Sequence, residues 1–298
     1  MLSTCRIVPV VLLAALLPLT GCGVVNANHR AETSMTMTAE HVDDAPLRIV
    51  ITNGSIDVRP DSEAQVVRIE ARLICSGSSE EEALARLAEA SVTAVRDSDA
   101  ALVIQPVFPE PSRSNDAVHL IVYIPSLSKA ELRATNGSIL AAGLRGPLEA
   151  RSTNGAITVE RHDGSAALRG TNGRITARTI AGDLRAETTN GRIDAEQVRG
   201  SVHAKASNGA IAIDLDDQSP GPVTASTTNG SVTLVTGSAF RGTVSLQTRN
   251  GGLTLRDPAR RAVEPQLQRR SGTITLGDGG EASSLRTTNG SITVEVRE

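Results

Sequence analysis

An Asn-Gly pair or a near equivalent recurs ten times along this chain, each time with an aliphatic residue three positions after the Asn. The pairs begin at Asn53, Asn136, Asn154, Asn172, Asn190, Asn208, Asn229, Asn250, Ser271 (a Ser-Gly variant) and Asn289. From Asn136 to Asn208 the step is 18 residues four times running; it is then 21 three times and 18 once more. A fixed period near this length means that each repeat is one supersecondary unit, which buries its apolar face only by stacking on its neighbours. Such a chain is constrained in shape before any chemistry is considered.

Aligned on the Asn, the positions two and four before it are small or aliphatic, as in Ser152 and Ala150 or Ala206 and Ala204. The positions one, three and five before are polar, as in Thr153, Arg151 and Glu149. The third residue after the Asn is Ile139, Ile157, Ile175, Ile193, Ile211, Val232, Leu253, Ile274 or Ile292, and the fifth is again apolar. Alternation of period two on both sides of a Gly-containing corner marks two half-buried strands per repeat. A third short segment includes Leu144, Ile180 and Val198 and closes on Gly146, Gly164, Gly182 or Gly200.

Two architectures satisfy this pattern. In an antiparallel meander, Asn-Gly is a type I′ hairpin turn. In a β-solenoid it is a corner of each coil, with Gly at positive φ and Asn pointing inward to form a ladder at the inter-strand spacing of about 4.8 Å. The identical register of successive repeats favours the solenoid, as does the lack of helices to cover a meander. Composition agrees, because the chain has no Trp, one Tyr and two Phe, and a narrow coil interior needs no large aromatics. The expected fold is all-β: a solenoid of 18–21-residue coils over residues 126–298, preceded by a β region at 41–125 carrying one helix. Ser78-Ser79-Glu80-Glu81-Glu82 supplies an N-cap and an acidic first turn, and apolar residues at helical spacing extend the predicted helix over about 79–95.

The N-terminus reads differently. Ile7 to Leu19 is an apolar run too short to span a bilayer, and it ends in Leu19-Thr20-Gly21-Cys22. That tetrad resembles the bacterial lipobox, which implies a signal peptide at 1–21, lipidation of Cys22 and permanent attachment to a membrane. Gly23 stands where an Asp would resemble an inner-membrane retention signal, so the outer membrane is expected. Residues 22–40 read as a polar tether, although Met35 and Met37 alternate with Thr as in an edge strand. Cys75 then has no disulfide partner and is expected to be a small hydrophobe in a strand.

From Leu47-Arg48-Ile49-Val50-Ile51-Thr52-Asn53-Gly54-Ser55-Ile56-Asp57-Val58, through the Ser-Glu-rich helix and the strand ending at Ile124-Pro125, to the Thr-Asn-Gly-x-Ile units, the order of features resembles a bacterial family of unknown function named for putative adhesins. The resemblance covers roughly residues 34–298. It implies adhesion and supplies no active-site residue.

Chemistry is sparse. His29, His41, His119, His162 and His203 lack metal-ligand spacing, and no nucleophile elbow, phosphate loop or Cys-x-x-Cys is present. No cofactor is expected. Asp214, Asp216 and Asp217 form the best acidic cluster; they could offer oxygen ligands to Ca²⁺, but a solvated loop is favoured. The outward column Arg133, Arg151, Arg169, Glu187, Lys205 is a mostly basic stripe able to contact an anionic envelope polymer. It has no paired acids of the kind a glycan-active β-helix enzyme needs. A formal net charge of −3 with dispersed Arg argues against nucleic acid. The expectation is a non-enzymatic, lipid-anchored cell-envelope scaffold or adhesin-like binder. The alternatives are a sensory or regulatory envelope lipoprotein that binds a protein and, less favoured, a glycan-active enzyme. The final unit, Thr288 to Glu298, is expected to form an uncapped end coil, a docking edge or the seam of weak self-association.

Overall fold

The structure is a computed structural model that describes residues 29–258 and 260–297. The expected signal peptide and Cys22, within residues 1–28, lie outside the described residues, as do residues 259 and 298. The chain divides into two compact units, the first ending at Gly137 and the second beginning at Ser138.

The first unit contains β1 (His29–Glu40), β2 (Leu47–Pro60), β3 (Val66–Gly77), α1 (Glu80–Glu89), β4 (Ser91–Arg96), β5 (Leu102–Val107), β6 (Ala117–Ile124) and the first part of β7 (Ala130–Ala142). The expected tether is largely a strand. β1 pairs antiparallel with β3 from His29↔Gly77 to Glu40↔Val66. Its alternation places Ala31, Met37 and Ala39 in the core, so the Met-Thr pattern outweighs the polar composition. β3 continues antiparallel to β6. β2 is one continuous strand that changes partner near Asn53-Gly54: Leu47–Ile49 pair with β5, and Gly54–Pro60 pair with β6, both in parallel.

The helix is shorter than expected. Ser79 caps it by accepting from the Glu82 amide, and it stops at Ala90, whose amide donates to Arg86 and Leu87. Ser91 to Arg96 instead form β4, with Val92 and Ala94 buried. A run with three β-branched residues in five (Val92, Thr93, Val95) suits a pleated strand better than a helix.

The second unit begins within β7 and continues through paired strands. These are β8 (Leu148–Asn154), β9 (Ile157–His162), β10 (Ala166–Asn172), β11 (Ile175–Ile180), β12 (Leu184–Asn190), β13 (Ile193–Val198), β14 (Val202–Ala206), β15 (Ile211–Leu215), β16 (Val223–Asn229) and β17 (Val232–Thr236). Then follow β18 (Gly242–Asn250), β19 (Leu253–Arg256), β20 (Ala262–Leu267), β21 (Ser271–Leu276), β22 (Ser283–Asn289) and β23 (Ile292–Val296). From β8 to β17 every rung is parallel, and like stacks on like: Ile157, Ile175, Ile193, Ile211 and Val232 form one buried column. Parallel pairing at one-coil steps is solenoid geometry and excludes a meander here. Each buried Ile, Leu or Val in such a column contributes about 1.5–3 kcal/mol.

The last coils depart from sequence order. β22 lies between β16 and β18, and β23 lies between β17 and β19, all in parallel. The C-terminal coil is therefore internal, which overturns the expectation that it forms an exposed end. The β18–β19 coil takes the outer place, and β18 is extended by β21 and then β20 in antiparallel pairing. Ser271 thus begins an antiparallel strand and is not a rung of the Asn column. The 21-residue step from Asn250 to Ser271 therefore does not mark a coil of the column.

Candidate functional site

The Asn column is real but faces outward. In the first unit, Asn53 Nδ2 donates to the Ser114 and Asp116 carbonyls at 3.1 and 2.8 Å, and Asn136 Nδ2 donates to Asn53 Oδ1 at 2.8 Å. In the second, Asn172 donates to Asn154, Asn190 to Asn172, Asn208 to Asn190 and Asn229 to Asn208, each at 2.8 Å. Asn289 then donates to Asn229 at 2.7 Å and Asn250 to Asn289 at 2.8 Å, following spatial rather than sequence order. Asn53 is half-buried and the other Asn side chains are exposed at the corner, because the turn breaks the period-two alternation that would otherwise carry the Asn to the same side as the buried residue two before it.

The inward polar work falls to Thr two residues earlier. Thr188, Thr227, Thr248 and Thr287 are buried, and their hydroxyls donate to the carbonyls of Gly173, Gly209, Gly290 and Gly230 at 3.4, 2.9, 2.9 and 2.8 Å. This inner ladder satisfies corner carbonyls that would otherwise be buried without partners. Sequence reasoning grouped these positions as small or aliphatic. The recurrent Thr-x-Asn-Gly spacing is the signal that could have revealed them.

The corner glycines are required for a reason other than the one expected. Among the pair glycines described, only Gly54 has a left-handed φ, at 124°. The others are hemmed in by the coil beside them: a Cβ on Gly191 would stand 1.9 Å from the Gly173 carbonyl oxygen, and one on Gly209 the same distance from that of Gly191.

The basic stripe is largely neutralised. Arg133 pairs with Glu131, Arg151 with Glu149, and Arg169 with Glu187 at 3.5 Å. Lys205 has no ion-pair partner among the described residues. The acidic cluster is similarly engaged: Asp214 and Asp217 pair with Arg297 and Asp216 with Arg199, at 3.1 Å for Asp217 and 3.7 Å for Asp216. Guanidinium groups stand where a cation would need open oxygen ligands. No group of His, Cys, Asp and Glu among the described residues could hold a metal ion.

Near Asn53, a buried network in the first unit joins the sheet to α1. The Asp116 carboxylate accepts from the Ser76 and Arg113 amides at 3.0 and 2.9 Å and from Arg86 at 2.6 Å. Burial pushes its pKa upward, but these hydrogen bonds and the Arg86 charge hold it below the usual carboxylate range. Cys75 beside it is fully buried, and burial, with the Asp116 charge, pushes its thiol up to about 11. It is a packing residue and not a thiolate nucleophile.

His162 occupies an apolar column, stacked on Ile180 and, beyond it, Val198. Burial holds its pKa below the ordinary histidine value, although the Ser165 carbonyl at 3.2 Å and Asp163 act the other way. The folded state thus favours the neutral ring, while the unfolded chain takes up a proton near pH 6.5, as an unperturbed histidine does. This contribution to stability is complete above that pH and is lost as pH falls below it, towards the folded value. His162→Val removes a polar ring from an apolar column, a change of about 1 kcal/mol. It should raise the melting midpoint more at pH 5 than at pH 8, and an equal shift at both would contradict the assigned titration.

Outward Asn rungs, inward Thr caps and close-packed glycine corners define a β-solenoid built from repeated Asn-Gly coils. The chain belongs to the Toastrack DUF4097 family, whose pattern it matches over residues 46–295. No curated protein matches it. Its course is similar to that of a putative adhesin from Parabacteroides merdae (13% identity, 91% of this chain and 97% of that one, TM-score 0.44). It is also similar to a putative adhesin from Bacteroides fragilis (8% identity, 92% and 100%, TM-score 0.38). A third similar structure is a putative lipid binding protein from Parabacteroides distasonis (10% identity, 92% and 98%, TM-score 0.37).

Proposed function

We propose that this protein is a non-enzymatic scaffold of the bacterial cell envelope, held to the outer membrane by lipid on Cys22 and presenting its coil surface to a binding partner. The observation that carries this reading is how its polar groups are used. Along the coils, outward Arg side chains pair with carboxylates on the same or the next rung, as Arg178 does with Glu160 and Glu196 at 3.5 and 3.0 Å. The interior columns are apolar with Thr caps and one buried His162, so among the described residues neither face gathers an acid, a base and a nucleophile around one point. Exposed pairs of this kind add little to stability; their role is to keep a repetitive surface soluble and evenly charged. The Leu19-Thr20-Gly21-Cys22 tetrad supports the anchor, and Gly23 supports the outer membrane.

Cys22→Ala tests the reading. Labelled fatty acid should enter the wild-type protein and not the variant, and the variant should leave the mature membrane-anchored pool. Equal labelling of both, or a wild-type protein that fractionates as freely soluble, would refute the anchor.

A further inference from the structure

The outermost hairpin gathers exposed positive charge at one place. β20 and β21 pair with Leu267 opposite Gly272, and the Gln268 amide donates to the Ser271 carbonyl at 2.9 Å, so Arg269 and Arg270 form the tip. β21 lies against β18 with Ser271 opposite Gln247, and the Thr248 amide donates to the Arg270 carbonyl at 2.9 Å. The tip is thereby held beside Arg249. All three arginines are exposed, and none has an ion-pair partner among the described residues, in contrast to the laced pairs along the coils. On β20, close to this tip, Leu267 is 39% exposed, and Pro265 and Val263 farther along the strand are exposed as well.

We propose that this hairpin is a docking surface for a bilayer rich in anionic lipid. The unpaired guanidinium groups of Arg249, Arg269 and Arg270 meet lipid phosphates, for which the planar fork is well matched. Leu267, beside the tip, enters the boundary between headgroups and acyl chains; Val263 lies on the other face of the hairpin, because the register shifts between them, and takes no part. Two observations select this occupant. A soluble polyanion would use the arginines but gain nothing from the exposed Leu267 beside them. Strand addition by a second copy is opposed by Pro265, which offers no amide, and by the register shift between Val263 and Gln266 on this edge strand. The proposal is independent of acylation at Cys22, since it concerns a second, reversible contact.

Hydrogen exchange of the full-length protein tests it, with added vesicles of phosphatidylcholine alone or mixed with phosphatidylglycerol. Amides of residues 262–276 should exchange more slowly with phosphatidylglycerol and be unchanged with phosphatidylcholine. Each arginine near an anionic surface adds roughly fivefold in affinity. The triple variant Arg249→Gln, Arg269→Gln, Arg270→Gln should therefore need about a hundredfold more anionic lipid for the same protection. Leu267→Ser should weaken protection while leaving the melting midpoint unchanged. The same slowing in both vesicle types, no slowing in either, or protection that survives the triple variant would overturn the proposal. So would equal protection by dextran sulfate with Leu267→Ser without effect, which would mark a site for soluble polyanions instead.

Discussion

Gly191→Ala is expected to destabilise the second unit by about 3 kcal/mol, the upper part of the usual range for overpacking. The new methyl would stand 1.9 Å from the Gly173 carbonyl oxygen and 3.1 Å from the Thr188 hydroxyl. The nearer atom is backbone, fixed by the parallel rungs on either side, so rotamer change cannot relieve the contact. The coils would have to part at this corner. That movement would stretch the Asn190–Asn172 bond, now 2.8 Å, and the Thr188–Gly173 cap with it. Gly252→Ala is the matched control, because no heavy atom lies within 4 Å of its added Cβ; it should be near neutral. Urea titrations should show a lower midpoint for Gly191→Ala alone, with an unchanged slope. Equal effects of the two substitutions would mean that the corner glycines do not mark close approach between coils.

The stacking of coils was legible in the sequence because its signal is redundant. An 18-residue step repeated with Ile at one position and Ala or Val two later leaves few ways to bury both strands of each unit. Which way the Asn points was less accessible. A period-two pattern states that Asn and Thr two residues before it lie on one side of the strand only while the strand continues, and the corner interrupts that rule. The close approach of the glycines is invisible in sequence for a related reason: positive φ and steric exclusion both select Gly. β1 was misread because its inward residues, Ala31, Met37 and Ala39, are few among Thr and Glu. Its pairing with β3 is a long-range contact that local composition does not encode.

Ser271 is the most instructive case. Its Ser-Gly pair and its Ile274 fit the repeat, but the residue two before it is Arg269, where Asn229, Asn250 and Asn289 have Thr227, Thr248 and Thr287. Coils with Ser152, Gly170 or Ala206 at that inward position do without the Thr, but a charged Arg cannot be buried there, and the segment folds back as a hairpin. The basic corner of Arg249, Arg269 and Arg270 was missed for the same reason, since it exists only once β21 turns antiparallel onto β18. The arginines that sequence did single out, at positions 133, 151 and 169, lie beside carboxylates that a one-dimensional stripe does not display.

The other large effect concerns the final coil. Deleting residues 283–298 should leave the outer part of the second unit unfolded rather than shortened by one harmless rung. Leu285, Ile292, Val294 and Val296 are fully buried and contribute about 1.5–3 kcal/mol each. Their sum rivals the whole stability of an ordinary domain, about 5–15 kcal/mol. Moreover, β18 and β19 rest on β22 and β23, so the hairpin and its arginines would lose their support. Loss of exchange protection across residues 242–276 would show this directly, whereas undisturbed protection there would argue for an end coil.

The order of the rungs can be measured by disulfide trapping on the exposed column. Arg286 is directly opposite Ser226 on one side and Gln247 on the other. Neighbouring strands are about 4.8 Å apart, within disulfide reach, while strands two apart are about 9.6 Å away, beyond it. Mild oxidation should therefore link Ser226→Cys to Arg286→Cys, and Gln247→Cys to Arg286→Cys, but leave Ser226→Cys with Gln247→Cys reduced. Efficient linkage of the Ser226–Gln247 pair, with Arg286 linking to Gln247 alone, would mean that the coils stack in sequence order and would contradict the structure described.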